Sequence, residues 1–311
     1  MNCPQGDRLG DAVLLIAFGG PECLEDIRPF LVKVTKGRVP EKRLKSVATH
    51  YELFGGKSPV NEVTFAQADA LKKALEGSGA TLPVYVGMRN WRPFLADTLR
   101  QIHDDGIGSL VGMIMSVFES KSSWEQYQTD VSEAMSETGI DFNVSYTKPF
   151  FDEPGFATTM SRHITDCLNN VPQNRRGATY IVFTANSLPH SDPQARLYTK
   201  QLNASSIRIA ESLSQSNFQI AYQSRSGRPQ DPWLEPDVND VLKKLAEQGV
   251  KDVVIAPIGF VCDNIEVLYD LDIQAKETAK GSGINMLRAK TVSDDPEFIK
   301  TMAGLVTSVL T

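Results

Sequence analysis

Two carboxylates four residues apart, Glu266 and Asp270, lie in the stretch Ala256 to Asp272, which reads APIGFVCDNIEVLYDLD. If this segment is helical, the spacing puts both on one face, one above the other, where like charges repel unless something positive or protonatable intervenes. Such a pair can relay protons or offer ligands. Acidic groups early in a helix can also simply answer the positive end of its dipole. The run before them, Val253 to Ile258, reads as a buried strand. In a parallel α/β sheet the junction from strand to helix faces the ligand crevice.

Other loops that follow strand-like runs carry further chemistry. Thr184-Ala185-Asn186-Ser187-Leu188-Pro189 places an amide and a hydroxyl at a strand end. Gly87 to Phe94 combines Arg89 and Arg92 with Trp91 and Phe94, a set that can pair with carboxylates and stack a flat ligand, or can plug the start of the next helix. Gln223 to Leu234 is a long polar loop whose Trp233 reads as packing. Phe18-Gly19-Gly20-Pro21 allows close backbone approach but lacks a dinucleotide fingerprint, and Gly55-Gly56-Lys57-Ser58 has only the ending of a phosphate loop.

Eight apolar runs position these loops: Ala12 to Phe18, Pro83 to Gly87, Leu110 to Val117, Phe142 to Tyr146, Tyr180 to Thr184, Gln219 to Tyr222, Val253 to Ile258 and Asn285 to Arg288. Lacking polar alternation, they suit strands covered on both faces. Helical stretches separate them at Glu62 to Leu75, Arg92 to Asp105, Ser122 to Met135, Phe156 to Leu168, Asn203 to Leu213, Val238 to Gln248 and Pro296 to Leu310, with Asp237 and Asp295-Pro296 as start signals. The alternation predicts an α/β fold of two Rossmann-like domains, each a parallel sheet of about four strands flanked by helices. The boundaries expected are 1–150 and 151–288, with the last helix, within 289–311, returning to the first half and a cleft lying between the halves.

A formal charge of −6 over 311 residues argues against a nucleic-acid surface. No apolar run is long enough to span a membrane, and the opening MNCPQGDRLGD has no signal- or transit-peptide pattern, so the expected location is the cytoplasm. Cys3, Cys23, Cys167 and Cys262 are scattered and suggest reduced thiols; Cys262, four residues before Glu266, could bring a thiol toward the same crevice.

Taken together, His50 to Pro59 (HYELFGGKSP), Phe183 to Pro189 (FTANSLP), Gln223-Ser-Arg-Ser-Gly227 followed by Asp231-Pro-Trp-Leu234, and Pro257-Ile-Gly-Phe-Val261 followed by Asp263 and Glu266-Val-Leu-Tyr-Asp270 resemble the ferrochelatase family. The resemblance is strongest to the soluble actinobacterial type that works on coproporphyrin III. It implies two domains clamping a porphyrin while ferrous iron enters and two pyrrole protons leave, in haem biosynthesis. Iron is then a substrate, and no tightly bound cofactor is expected. No cysteine stands near Tyr127 and the chain stops at Thr311, so no iron–sulfur cluster is expected either. Transient haem-pathway protein partners are compatible with this reading.

The same resemblance places Glu266 as proton acceptor and metal ligand, with Asp270 and Asp272 in an acidic relay beyond it and Gln274 in place of a further glutamate. It assigns Phe18 to the porphyrin face and Lys36, Ser58 and Tyr127 to its propionates. Asn186 stands where the resemblance implies a histidine that binds metal, and Asn264 likewise replaces a histidine. An amide is a poor iron ligand and has no useful proton affinity, so metal insertion could be impaired. His190, four residues on, could compensate or could be a solvated loop residue; His50, His103 and His163 are the remaining imidazoles. The alternative reading is a homologue that binds porphyrin or haem without inserting metal.

Overall fold

The computed structural model describes residues 10–227 and 230–311. Cys3 and most of the opening segment lie outside these, as do Arg228 and Pro229 of the long polar loop. All eight expected strands form: β1 (Ala12–Ala17), β2 (Val84–Met88), β3 (Ser109–Ile114), β4 (Asn143–Tyr146), β5 (Tyr180–Asn186), β6 (Phe218–Gln223), β7 (Asp252–Ala256) and β8 (Asn285–Arg288). They make two four-stranded sheets, ordered β2-β1-β3-β4 and β6-β5-β7-β8, with every pairing parallel. The central strands are the most uniformly buried: every residue of β1 and of β7 is buried, while the edge strands β4 and β8 are only partly covered.

The helices are α1 (Leu24–Val34), α2 (Glu41–Glu52), α3 (Val60–Gly77), α4 (Leu95–Asp104), α5 (Gln126–Thr138), α6 (Pro154–Asn169), α7 (Ala195–Ser212), α8 (Val238–Glu247), α9 (Lys276–Gly281) and α10 (Pro296–Leu310). The carboxylates of Asp237 and Asp295 accept from the backbone N–H groups of Asn239 and Glu297, capping α8 and α10 as expected. Two helices, α1 and α2, were not expected. The internal Pro29 of α1 reads as a break, since proline removes a helical hydrogen bond. The only buried residue of α2 is Leu44, too little for an apolar stripe to show.

The chain divides into two compact units. One comprises residues up to Met115, Trp124–Pro149 and Phe298–Thr311; the other comprises Ser116–Ser123 and Phe150–Glu297. In the first, Leu95, Leu99 and Ile102 of α4 and Val131 of α5 pack on Leu14, Ile16 and Leu110 of the sheet. In the second, Val241, Leu242 and Leu245 of α8, together with Val267, Leu271 and Ala275, cover Val182, Ala221, Val253 and Ile255. Burying one such leucine stabilises the fold by roughly 1.5–3 kcal/mol, which is why helix faces rather than loops fix the strand ends.

Candidate active site

Three adjacent strands of the second unit deliver the candidate residues at their carboxyl ends. Asn186 ends β5 and is paired in register with Gln223, which ends β6. Ser224 follows at once with φ of 58°, a left-handed conformation uncommon outside glycine. Beyond β7, Gly259 turns the chain so close to Ala185 that a Cβ on it would come within 2.6 Å of the alanine Cβ. Asn264 then starts the helix, its Oδ1 accepting from the Val267 N–H at 3.0 Å. The residue standing in place of a second histidine therefore serves as a cap.

The helix that follows is not the α-helix the spacing suggested. Val267–Ala275 is π-helical and runs into α9. A π turn bonds i to i+5 and fits one more residue into each hydrogen-bonded ring, and such segments concentrate at functional sites. Val267, Leu271 and Ala275, four apart, form the buried stripe. Glu266 and Asp270 each precede one of these residues, so the core packing that seats the stripe also lines up the two acids along its margin.

Asn186 Nδ2 donates to Glu266 Oε2 at 3.1 Å, and the Ser224 hydroxyl donates to Asp270 Oδ2. Glu266 keeps an exposed surface. Lost hydration is nonetheless the largest influence on its carboxyl, which is pushed up to about 7; the Asp270 charge adds to the rise and the Asn186 amide opposes it. Asp270 is pushed up to about 6, first by burial, with the Ser224 hydroxyl opposing and the Asp237 charge adding. Two neighbouring acids that hold protons near neutrality can accept and pass protons.

Groups not foreseen from the sequence hold this arrangement. The buried Tyr198 donates its hydroxyl to the Asn186 carbonyl at 3.0 Å, and Gln223 Nε2 reaches the Glu266 carbonyl at 3.5 Å. Asn186 Oδ1 and Gln223 Oε1 are buried and accept no hydrogen bond among the described residues. These neighbouring oxygens could serve a metal ion or a proton donor. Tyr198 sits in α7, twelve residues past Asn186, and no local pattern marks such a pairing.

His190 does not face Asn186 or Glu266 through a bond: its Nε2 lies 3.0 Å from the Trp233 carbonyl, and its backbone N–H donates to Pro232. The ring stitches the Pro189 loop to the Trp233 loop. Cys262 is buried, and its thiol is pushed up to about 12 by burial, far from a reactive thiolate. Asp272 turns to Arg288, whose Nε donates to it at 2.6 Å.

The remaining candidates belong to the first unit. Phe18, just past β1, is 40% exposed with its edge toward Phe30, and Lys36 is exposed after α1. Ser58 is buried against Gly20, and Tyr127 is buried with the Arg89 guanidinium 5.3 Å from its ring centre. Arg89 also pairs with Asp130 at 2.5 Å.

Two parallel α/β units, one with a paired-acid site at its strand ends, define a chelatase-type architecture. SirB from Bacillus subtilis, solved with Fe3+, shares that fold: the TM-score is 0.60 at 10% identity, covering 96% of this chain and 95% of SirB. The ferrochelatase family model matches residues 10–310, and the chain belongs to the ferrochelatase family. It is 40% identical to the coproporphyrin III ferrochelatase of Streptomyces griseus, over 95% of this chain and 84% of that protein. It is 38% identical to that of Mycolicibacterium smegmatis (96% and 90%) and to the ferrochelatase of Rhodopirellula baltica (95% and 85%).

Proposed function

We propose that this protein inserts ferrous iron into coproporphyrin III, with Glu266 accepting pyrrole protons and Asp270 passing them on. The observation that carries the reading is the pair of adjacent acids with raised proton affinity at the ends of parallel strands, one bonded by an amide and the other by a hydroxyl. A carboxyl that titrates near neutral pH takes a proton from a pyrrole and releases it again without becoming trapped in either state. Iron is the substrate metal; Glu266 and Asn186 are its proposed ligands. In the first unit, Phe18 offers a ring to the macrocycle and Lys36 a charge to a propionate. Ser58 and Tyr127 complete the proposed propionate contacts, although their burial makes Lys36 and Phe18 the more accessible of the four.

Asn186 gives a second reading some support. Its amide donates to Glu266 instead of offering an imidazole, so a site that holds porphyrin without metallating it fits the same geometry. No described helix is long and apolar enough to cross a membrane, and a cytoplasmic setting is part of the proposal. Anaerobic incubation with ferrous iron and coproporphyrin III, followed through the porphyrin absorption bands, separates the readings. Metal insertion is the expected result; tight porphyrin binding with no insertion would replace the enzyme by the binder.

A further inference from the structure

The acids of the π-helical segment do not all serve the same purpose. Asp263 and Asp272 lie on either side of Glu266 and Asp270 in sequence, and both meet Arg288, the last residue of β8. The guanidinium forks onto Asp263, Nη1 to Oδ1 at 3.1 Å and Nη2 to Oδ2 at 2.9 Å, and spends its Nε on Asp272 at 2.6 Å. Thr291, almost wholly buried, adds its hydroxyl to Asp263 Oδ1 at 2.9 Å. The arginine side chain is 14% exposed, and its two partners are 26% and 34% exposed, so the bonds are partly shielded from water.

The geometry points to Arg288 as the positioning residue for the paired acids: it ties the residue that precedes the helix and the residue past Asp270 to one rigid strand. A π-helical stretch is irregular and has few ways to hold its own register. The buried stripe of Val267, Leu271 and Ala275 fixes the face that is turned inward, whereas the arginine fork fixes where the segment begins and how far it advances. Arg288 touches neither Glu266 nor Asp270 through a hydrogen bond among those described, so its influence passes through the backbone between Asp263 and Asp272. Its planar, three-nitrogen engagement is one that a lysine, as a point charge, cannot reproduce. Asp272 is thereby committed to the clamp, and Asp270 is left as the outer member of the proton-handling pair.

The role rests on the metal-insertion reading above, and the test separates the two. Arg288→Met is expected to lower kcat for iron insertion about 10- to 100-fold, as misplacement of a reacting group by up to about 1 Å does, while KM for coproporphyrin III stays within about twofold. Arg288→Lys should restore only part of that loss, and Asp272→Asn, which frees one arm of the fork, should fall between the two. If Arg288→Met does not fold, the other two variants decide. Wild-type kcat in folded Arg288→Lys and Asp272→Asn, or a rise in KM that matches the loss in kcat, would overturn the role. Amide hydrogen exchange over 263–275 reads the clamp without catalysis. Faster exchange in the variants is expected even if the wild type inserts no metal, and unchanged exchange there would refute the clamp whatever the wild-type activity.

Discussion

The two sheets have the same strand order, second strand, first strand, third strand, fourth strand, and along the chain each third strand is followed by a π-helical turn, Lys121–Glu125 after β3, with residues in both units, and Val267–Ala275 after β7. Their strand ends nonetheless carry opposite chemistry. In the first unit β1 and β2 end on Phe18 and Arg89, an exposed ring and a guanidinium; in the second, β5, β6 and β7 lead to Asn186, Ser224 and Glu266. One topology thus supplies a set of aimed positions, and under the proposed function the residues placed there assign porphyrin binding to one half and proton handling to the other. The longer π segment is the one that follows Glu266 and carries Asp270.

The most direct way to break this contrast is to remove the acceptor. Glu266→Gln keeps the shape and the contact with Asn186 but cannot take a proton; insertion should fall about 10²- to 10⁴-fold while porphyrin affinity, read by fluorescence quenching, stays near wild type. A comparable loss in affinity would mean that the second half also binds the ring. Core truncations sharpen the point. Leu271→Ala and Leu99→Ala each delete a fully buried leucine, one beneath the acids and one in α4 of the first unit, and each should cost about 2–5 kcal/mol in denaturant unfolding. Only Leu271→Ala should also lower kcat under conditions where both variants remain folded. Asn186→His should raise insertion by about tenfold or more; no response would show that an imidazole there was not limiting.

The pH dependence of stability tests the same half. Glu266 has its proton affinity raised from the usual 4.5 to about 7 on folding, so the native state binds the proton more tightly than the unfolded chain. Its stabilising contribution is complete below about 4.5 and is lost as the pH rises through about 7. The unfolding temperature of the wild type, compared with that of Glu266→Gln, should therefore decline between pH 4 and pH 8; a constant difference would contradict the raised proton affinity.

What the sequence disclosed and what it hid follow one physical line. Strands buried on both faces are written as unbroken apolar runs, so all eight could be read, as could the caps Asp237 and Asp295 and the four-residue spacing of Glu266 and Asp270. The apolar stripe repeats every four residues in an α- or a π-helix closely enough that the π segment could not be told apart. Pro29 concealed α1. The supports of the site were hidden by distance along the chain: Tyr198 and Arg288 act on residues brought near only by the parallel pairing of β5, β6, β7 and β8. Of the two readings of His190, compensation for Asn186 or a loop residue, the geometry favours the loop: four residues in sequence do not bond it to Asn186, and its ring meets the Trp233 carbonyl.

The finest difference between the halves lies in the residue that follows each flanking strand: Arg89 after β2 and Ser224 after β6. Arg89 lies over Tyr127 and pairs with Asp130, whereas Ser224 gives its hydroxyl to Asp270. Ser224→Gly removes that donor and also suits the left-handed backbone there, so the variant isolates the hydroxyl from any conformational strain. One net hydrogen bond is worth about 0.5–1.5 kcal/mol, which sets the expected fall in kcat at about two- to tenfold, with KM unchanged. Because the hydroxyl holds the Asp270 carboxyl down, its loss should raise the proton affinity of Asp270 further and move the acid limb of the rate profile to higher pH. Arg89→Lys, which keeps the charge but gives up the planar stacking, should instead raise KM for the porphyrin and leave kcat alone. If the two variants changed the same kinetic constant, the assignment of binding to one half and proton handling to the other would be wrong.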